Sequence, residues 1–179
     1  MAHAGYILAF RRRREGKTNY RKRLAYLMSN KPRLVVRITN TQFIAQIVRY
    51  HPEGDITEAQ FNSSSLRRKY GWEYNVKNLP SAYLTGYVLG HLAKEKGIEE
   101  VILDVGLRKP HRKGRIYALV KGVLDAGVYI PHDPSILPDE ERLKGTHIEK
   151  YLNKEISKRF EEIKKKIEES FKKSKSKKK

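Results

Sequence analysis

Only part of this chain can collapse on itself without a partner. Residues 34–107 carry eight basic and eight acidic residues, and residues 116–149 carry three and six. By contrast, residues 1–33 carry ten basic residues and one acidic, 108–115 five and none, and 150–179 thirteen and five. Like charges crowded together repel, so the packed core must come from the balanced stretch, and the positive excess belongs to a leading arm, one internal loop and a trailing segment. A hydrophobic fraction of 39% in 179 residues supplies one core, while 33% charged residues, above the roughly 25% of ordinary domains, keeps much of the chain outside it. The expected organisation is a basic arm over 1–33 and an α/β core over 34–145 that includes the basic loop 108–115. An amphipathic helix over 146–171 and a lysine-rich tail over 172–179, disordered when free, complete it.

Within the core, Leu34-Val35-Val36-Arg37-Ile38 and Phe43-Ile44-Ala45-Gln46-Ile47-Val48 flank a turn-like Asn40-Thr41 and read as an antiparallel hairpin. Pro52-Glu53-Gly54-Asp55 turns into a third strand, Ile56 to Phe61, giving an antiparallel meander. From Pro80, Leu84, Val88 and Leu92 recur every four residues up to Gly97, the spacing of a helix. Val101 to Val105 is a short strand, Ile116 to Ala126 a helix closed by Gly127, and Val128-Tyr129-Ile130 a further strand. The fold class is therefore α/β: a mixed sheet, meander first and strands alternating with helices afterwards, with helices on its faces. Residues 131–145, with three prolines, read as ordered loop. Gly86 and Gly90 suggest close packing of their helix against the sheet. Thr146 and Glu149 have capping-box spacing, and Ile148, Leu152, Ile156, Phe160, Ile163, Ile167 and Phe171 form one stripe along a single long helix. That stripe is expected to dock on the protein's own body or on a neighbour, leaving its basic face for RNA.

A formal charge of +19 draws a polyanion, and the basic groups are of the kind that hold RNA. In the arm, Arg11, Arg12, Arg13, Arg14, Lys17, Arg21, Lys22 and Arg23 surround Tyr20, with Tyr26 beside them. Arginine forks grip phosphates bidentately, and a tyrosine ring accepts an unstacked base. Arg33 closes this segment. The loop contributes Arg108, Lys109, His111, Arg112, Lys113 and Arg115 between a strand and a helix start, where open α/β sheets commonly place ligands and where the helix end adds positive potential. Arg67, Arg68 and Lys69 precede Tyr70-Gly71-Trp72, whose Trp72 suits core packing as well as base stacking.

Other chemistries find little support. There is no cysteine, hence no disulfide and no thiolate site. The six histidines never take zincin spacing, and P-loop, nucleophile-elbow and dinucleotide motifs are absent, so neither a cofactor nor a small-molecule substrate is expected. The apolar stretch at the start precedes its basic run, the reverse of a secretory signal, and no run is long enough for a bilayer. An intracellular, cytoplasmic protein without a membrane partner is expected. Two alternatives remain: an architectural DNA binder, and a metal-dependent nuclease if Asp55, Asp104 and Asp125 converge.

Several stretches together resemble a known family. Lys17-Thr18-Asn19-Tyr20-Arg21-Lys22-Arg23-Leu24, Lys31-Pro32-Arg33-Leu34-Val35-Val36-Arg37, Ala45-Gln46-Ile47-Val48 and Lys69-Tyr70-Gly71-Trp72 are followed by Asn78 to Gly86, Leu103-Asp104-Val105-Gly106-Leu107 and Leu124 to His132. As an ordered set over about residues 5–150, they resemble the ribosomal protein L-eighteen family in its longer archaeal and eukaryotic form. The resemblance implies a ribosomal protein with ribonuclease H-like topology and no nuclease activity. It also implies binding of 5S rRNA in the central protuberance of the large subunit, with large-subunit rRNA and neighbouring ribosomal proteins as further partners. The family's RNA-binding arm corresponds to Arg11 to Arg23 and its RNA-facing loop to Arg108 to Arg115. Val105 to Arg115 departs from the shorter bacterial pattern, in which an aromatic-rich loop occupies this place.

Overall fold

The computed structural model describes residues 5, 7–152 and 155–176. The arm forms two short helices, α1 (Arg11–Arg14) and α2 (Tyr20–Met28), before the sheet begins. Gly16, at φ 62°, turns the chain between them, and the Asn19 side chain accepts the Lys22 N–H at 3.1 Å, an N-cap that starts α2. β1 (Arg33–Ile38), β2 (Phe43–Arg49) and β3 (Ile56–Asn62) follow as the expected antiparallel meander. Leu34 lies opposite Ile47 and Val36 opposite Ala45, so one face of the sheet is continuously apolar. After α3 (Ser65–Tyr70), closed by Gly71, comes α4 (Leu79–Glu95), capped by Asn78 with Pro80 in its first turn. β4 (Ile102–Asp104) then pairs parallel with β1, giving the strand order β3-β2-β1-β4. This is a mixed α/β sheet; the narrower ribonuclease H-like label remains an implication of the resemblance.

α4 is the centre of the molecule. Thirteen of its seventeen residues are buried, because it touches the sheet on one side and α5 (Arg115–Asp125) on another. Gly86 and Gly90, expected against the sheet, instead face α5. A Cβ on Gly86 would collide with the Leu119 carbonyl, and one on Gly122 of α5 with the Tyr83 carbonyl, so the two backbones meet at glycines on both helices. Close backbone approach multiplies dispersion contacts that larger side chains would prevent.

The second half departs from the sequence expectation in three places. Val128 to Ile130 makes a single parallel bridge, Tyr129 with Glu100, rather than a strand; Pro131 follows and has no N–H with which to continue a ladder. Residues 131–145 hold a 3-10 turn at Pro134–Ile136, with Asp133 accepting the Ser135 N–H, and a helix α6 (Glu140–Lys144) that ends at Gly145, φ 86°. α6 buries only Leu143, so its apolar periodicity is too short to read. The single long helix is two helices, α7 (Thr146–Leu152) and α8 (Ile156–Ser176). The capping box is not formed: Glu149 accepts the backbone N–H and the hydroxyl of Ser157, capping the start of α8 instead. α8 runs five residues past Phe171, and residues 177–179 of the expected tail lie outside the described residues.

The expected stripe does dock on the protein's own body. Ile156, Phe160, Ile163 and Ile167 are buried, each contributing about 1.5–3 kcal/mol, with Phe160 5.3 Å from the Tyr83 ring and Phe171 stacked on His91 at 5.0 Å. The helices of the core thus collect on the apolar face of the sheet. The opposite face, where β1 presents Arg33, Val35 and Arg37, is spanned by the arm with its helix α2.

Candidate nucleic-acid interface

Alternation along β1 sets up the site. With a period of two, Leu34 and Val36 enter the core while Arg33, Val35 and Arg37 emerge on the other face. The arm spans that face, leaving a cleft of about 940 Å³. Its walls are the arm from Arg12 to Tyr26, the outer face of β1 and β2, and the segment from Val105 to Arg108 that leaves β4. Seven cationic side chains line it, Arg12, Lys17, Lys22, Arg23, Arg33, Arg37 and Arg108, against the two carboxylates of Asp55 and Asp104. An anion is favoured there, and the low-dielectric wall of the sheet sharpens the field.

The charges inside the cleft are joined. The Arg23 guanidinium donates to both oxygens of Asp55 at 2.9 and 3.0 Å, and Arg33 donates to Asp55 at 2.7 Å and to Asp104 at 3.0 Å. Arg37 donates to the Asp104 carboxylate at 3.3 Å and to its carbonyl at 2.9 Å. The Arg33 side chain is 4% exposed, so its charge depends on these partners; stripping a buried ion of its partner costs about 3–5 kcal/mol. Arg33, expected on the RNA, is therefore an interior residue, consumed by two carboxylates. Tyr26 borders the same network, and burial, followed by the Asp104 charge, pushes its phenol above the ordinary value.

The other candidate residues fall into three groups. Arg12, Lys17, Tyr20, Lys22 and Arg23 of the arm share the cleft with Arg108, whereas Arg11, Arg13, Arg14 and Arg21 are exposed outside it. Arg12 is oriented by Thr18, whose hydroxyl accepts from its Nε at 2.9 Å, and the Tyr20 ring packs 5.4 Å from Phe10. Lys109, His111 and Arg112 stand exposed on the loop beyond the cleft. There Lys113 is tied to Asp139 at 3.1 Å and the Arg115 guanidinium to the Lys77 carbonyl at 3.3 Å. Arg67, Arg68 and Lys69 lie exposed on α3, away from the cleft. Trp72 is fully enclosed, with its Nε1 donating to the Asn75 carbonyl, so it packs the core and cannot stack on a base. Arg37 was not among the candidates, although its spacing of four from Arg33 on a strand places both on one face.

Residues 5–100 match the family model described as "Ribosomal large subunit proteins 60S L5, and 50S L18". The large ribosomal subunit protein uL18 of Korarchaeum cryptofilum is 55% identical over 156 residues, 86% of this chain and 79% of that protein. The chain belongs to the uL18 family. A second member, from Caldivirga maquilingensis, is 43% identical across 99% of this chain and 98% of its own length. Proteins of the uL18 family are structural proteins of the large ribosomal subunit, not enzymes, and ribosomal RNA and ribosomal proteins are the partners that such a place implies. No helix among the described residues is long and apolar enough to cross a membrane.

Membership in uL18 agrees with what became of the nuclease alternative. Asp55 and Asp104 do converge, but on the Arg33 guanidinium, which pairs with both carboxylates. Asp125 is elsewhere, accepting the Tyr83 hydroxyl at 2.8 Å and pairing with Lys121 at 2.9 Å. Burial first, and then this carboxylate, raise the Tyr83 phenol well above its ordinary range.

Proposed function

We propose that this chain binds 5S rRNA and anchors it in the central protuberance of the large subunit, where it also meets large-subunit rRNA and neighbouring ribosomal proteins. The observation that carries the reading is the cleft itself. Two segments far apart in sequence, the arm and the chain leaving β4, converge on one cationic surface floored by the outer face of the sheet. Beyond it, Lys109, His111 and Arg112 extend the positive surface along the loop.

Such a surface recognises a folded RNA by the arrangement of its phosphates and 2′-hydroxyls more than by its base sequence. The arm and loop replace condensed counterions, and the rigid sheet fixes the distance between them. RNA-binding residues are accordingly those of the arm, Arg37 and the exposed loop cations, with α3 offering a separate basic patch.

The test is binding of the purified protein to folded 5S rRNA in competition with transfer RNA and duplex DNA across a salt series. A preference for 5S rRNA that persists at moderate salt is expected. Equal affinity for all three, lost together as salt rises, would reduce the protein to a general polyanion binder of the architectural kind.

A further inference from the structure

Two carboxylates at the centre of a cleft for a polyanion call for an explanation. Each lowers the positive potential that draws RNA in, and an apolar residue in place of Arg33 would need neither of them. Their contacts show what they join. Asp55 holds Arg23 of α2 on one side and Arg33 of β1 on the other. Asp104 holds Arg33 and Arg37, and its Oδ1 also accepts the Gly106 N–H at 2.8 Å. Gly106, at φ 68°, is where the chain turns away from β4 toward the basic loop, and Arg37 packs so closely there that a Cβ would stand 3.1 Å from its guanidinium carbon.

We propose that Asp55 and Asp104 are positioning residues that index the arm and the basic loop onto one buried guanidinium, Arg33, and so set the selectivity for folded RNA. The inference rests on the cleft being the RNA interface. None of the α2 side chains is buried, so hydrophobic packing does little to hold this helix in register, and Arg23 with Asp55 is an ion pair that fastens α2 to the margin of the sheet. On the loop side, Asp104 fixes both the turn at Gly106 and the direction of Arg37. A pre-set spacing spares the complex the ordering cost of its two grips when the correct RNA arrives. An RNA or DNA with differently spaced phosphates gains nothing from it.

The decisive variant is Asp55→Asn, because simple electrostatics and positioning give opposite signs. Removing a negative charge from a polyanion site should tighten binding to every nucleic acid. Positioning gives roughly three- to tenfold weaker binding to 5S rRNA, with duplex DNA unchanged or slightly tighter, and faster amide hydrogen exchange in α2. Arg33 keeps Asp104 in this variant, and Asp55 lies at the margin of β3 with a quarter of its side chain exposed, so the fold is expected to survive. In an Arg23→Gln background the same change should have little further effect, since the link is already cut.

Wild-type protein without preference for 5S rRNA would remove the reading on which the inference rests. A wild-type preference that Asp55→Asn retains in full, with α2 exchange unaltered, would overturn the inference and leave the reading standing. Should Asp55→Asn lose its fold, Asp55→Glu keeps the charge and displaces it by one methylene. Reduced selectivity in that variant supports positioning, and full selectivity refutes it.

Discussion

The arm and the C-terminal helix are both strongly basic, yet they use their charge in opposite ways. In α8, four apolar side chains are buried and two of the cations, Arg159 and Lys164, contact the body. Arg159 donates to the Gly71 carbonyl at 2.9 Å and to Glu73 at 3.0 Å, and Lys164 sits 5.5 and 5.3 Å above the Tyr83 and Tyr87 rings. In α1 and α2 nothing is buried, Phe10 and Met28 are 73% and 76% exposed, and Glu15 is the one acid among residues 1–33. A tally of positive charge does not separate the two. The presence of an apolar stripe, and of acids between the cations, does.

The comparison can be broken from either side. The largest effect is expected from Ile163→Ala in α8, which leaves a cavity and costs about 2–5 kcal/mol in denaturant unfolding while the folded fraction binds RNA as before. Lost RNA affinity at unchanged stability would mean that α8 belongs to the interface. Converting Arg11, Arg12, Arg13 and Arg14 together to alanine should do the reverse, moving stability by no more than about 0.5 kcal/mol while the log–log salt slope of 5S rRNA binding falls by roughly 3. An unaltered slope would free α1 of any phosphate contact.

Smaller effects sharpen the boundary. Lys109→Ala with Arg112→Ala removes two exposed loop cations and should reduce the slope by roughly 1.5, provided both meet phosphate. Lys165→Ala with Lys166→Ala on α8 should leave the slope where it was and change unfolding by about 0.5 kcal/mol at most. A slope change there as large as the loop's would give the basic face of α8 a share in RNA binding.

The sequence makes the first half legible because local patterns decide it. Alternation in Leu34 to Ile38 and Phe43 to Val48 specifies a hairpin whose register the apolar face enforces, and Pro80 and the four-residue spacing after it specify α4. The second half depends on contacts between distant segments. Gly86 and Gly90 announce close packing, but only the fold brings Gly122 of α5 opposite them. Thr146 and Glu149 have the right spacing for a cap, yet Glu149 is taken by Ser157 eight residues on.

The site divides in the same way. Charge counting locates the arm and the loop, since arginine-rich stretches with few acids have little use inside a core. It does not reveal that Arg33 is buried, because an arginine in sequence does not disclose two carboxylates 22 and 71 residues away. It also passes over Arg37, which becomes visible once β1 is read with a period of two, and over the acids, whose positioning part has no signature in composition.

Lysine reactivity mapped on the free protein and on its complex with 5S rRNA tests most directly which face meets RNA. The account expects Lys17, Lys22 and Lys109 to be protected from acylation by the RNA while Lys158 and Lys165 on α8 react as before. Protection of the α8 lysines with the arm and loop left reactive would contradict it, and would move the interface to the opposite side of the molecule.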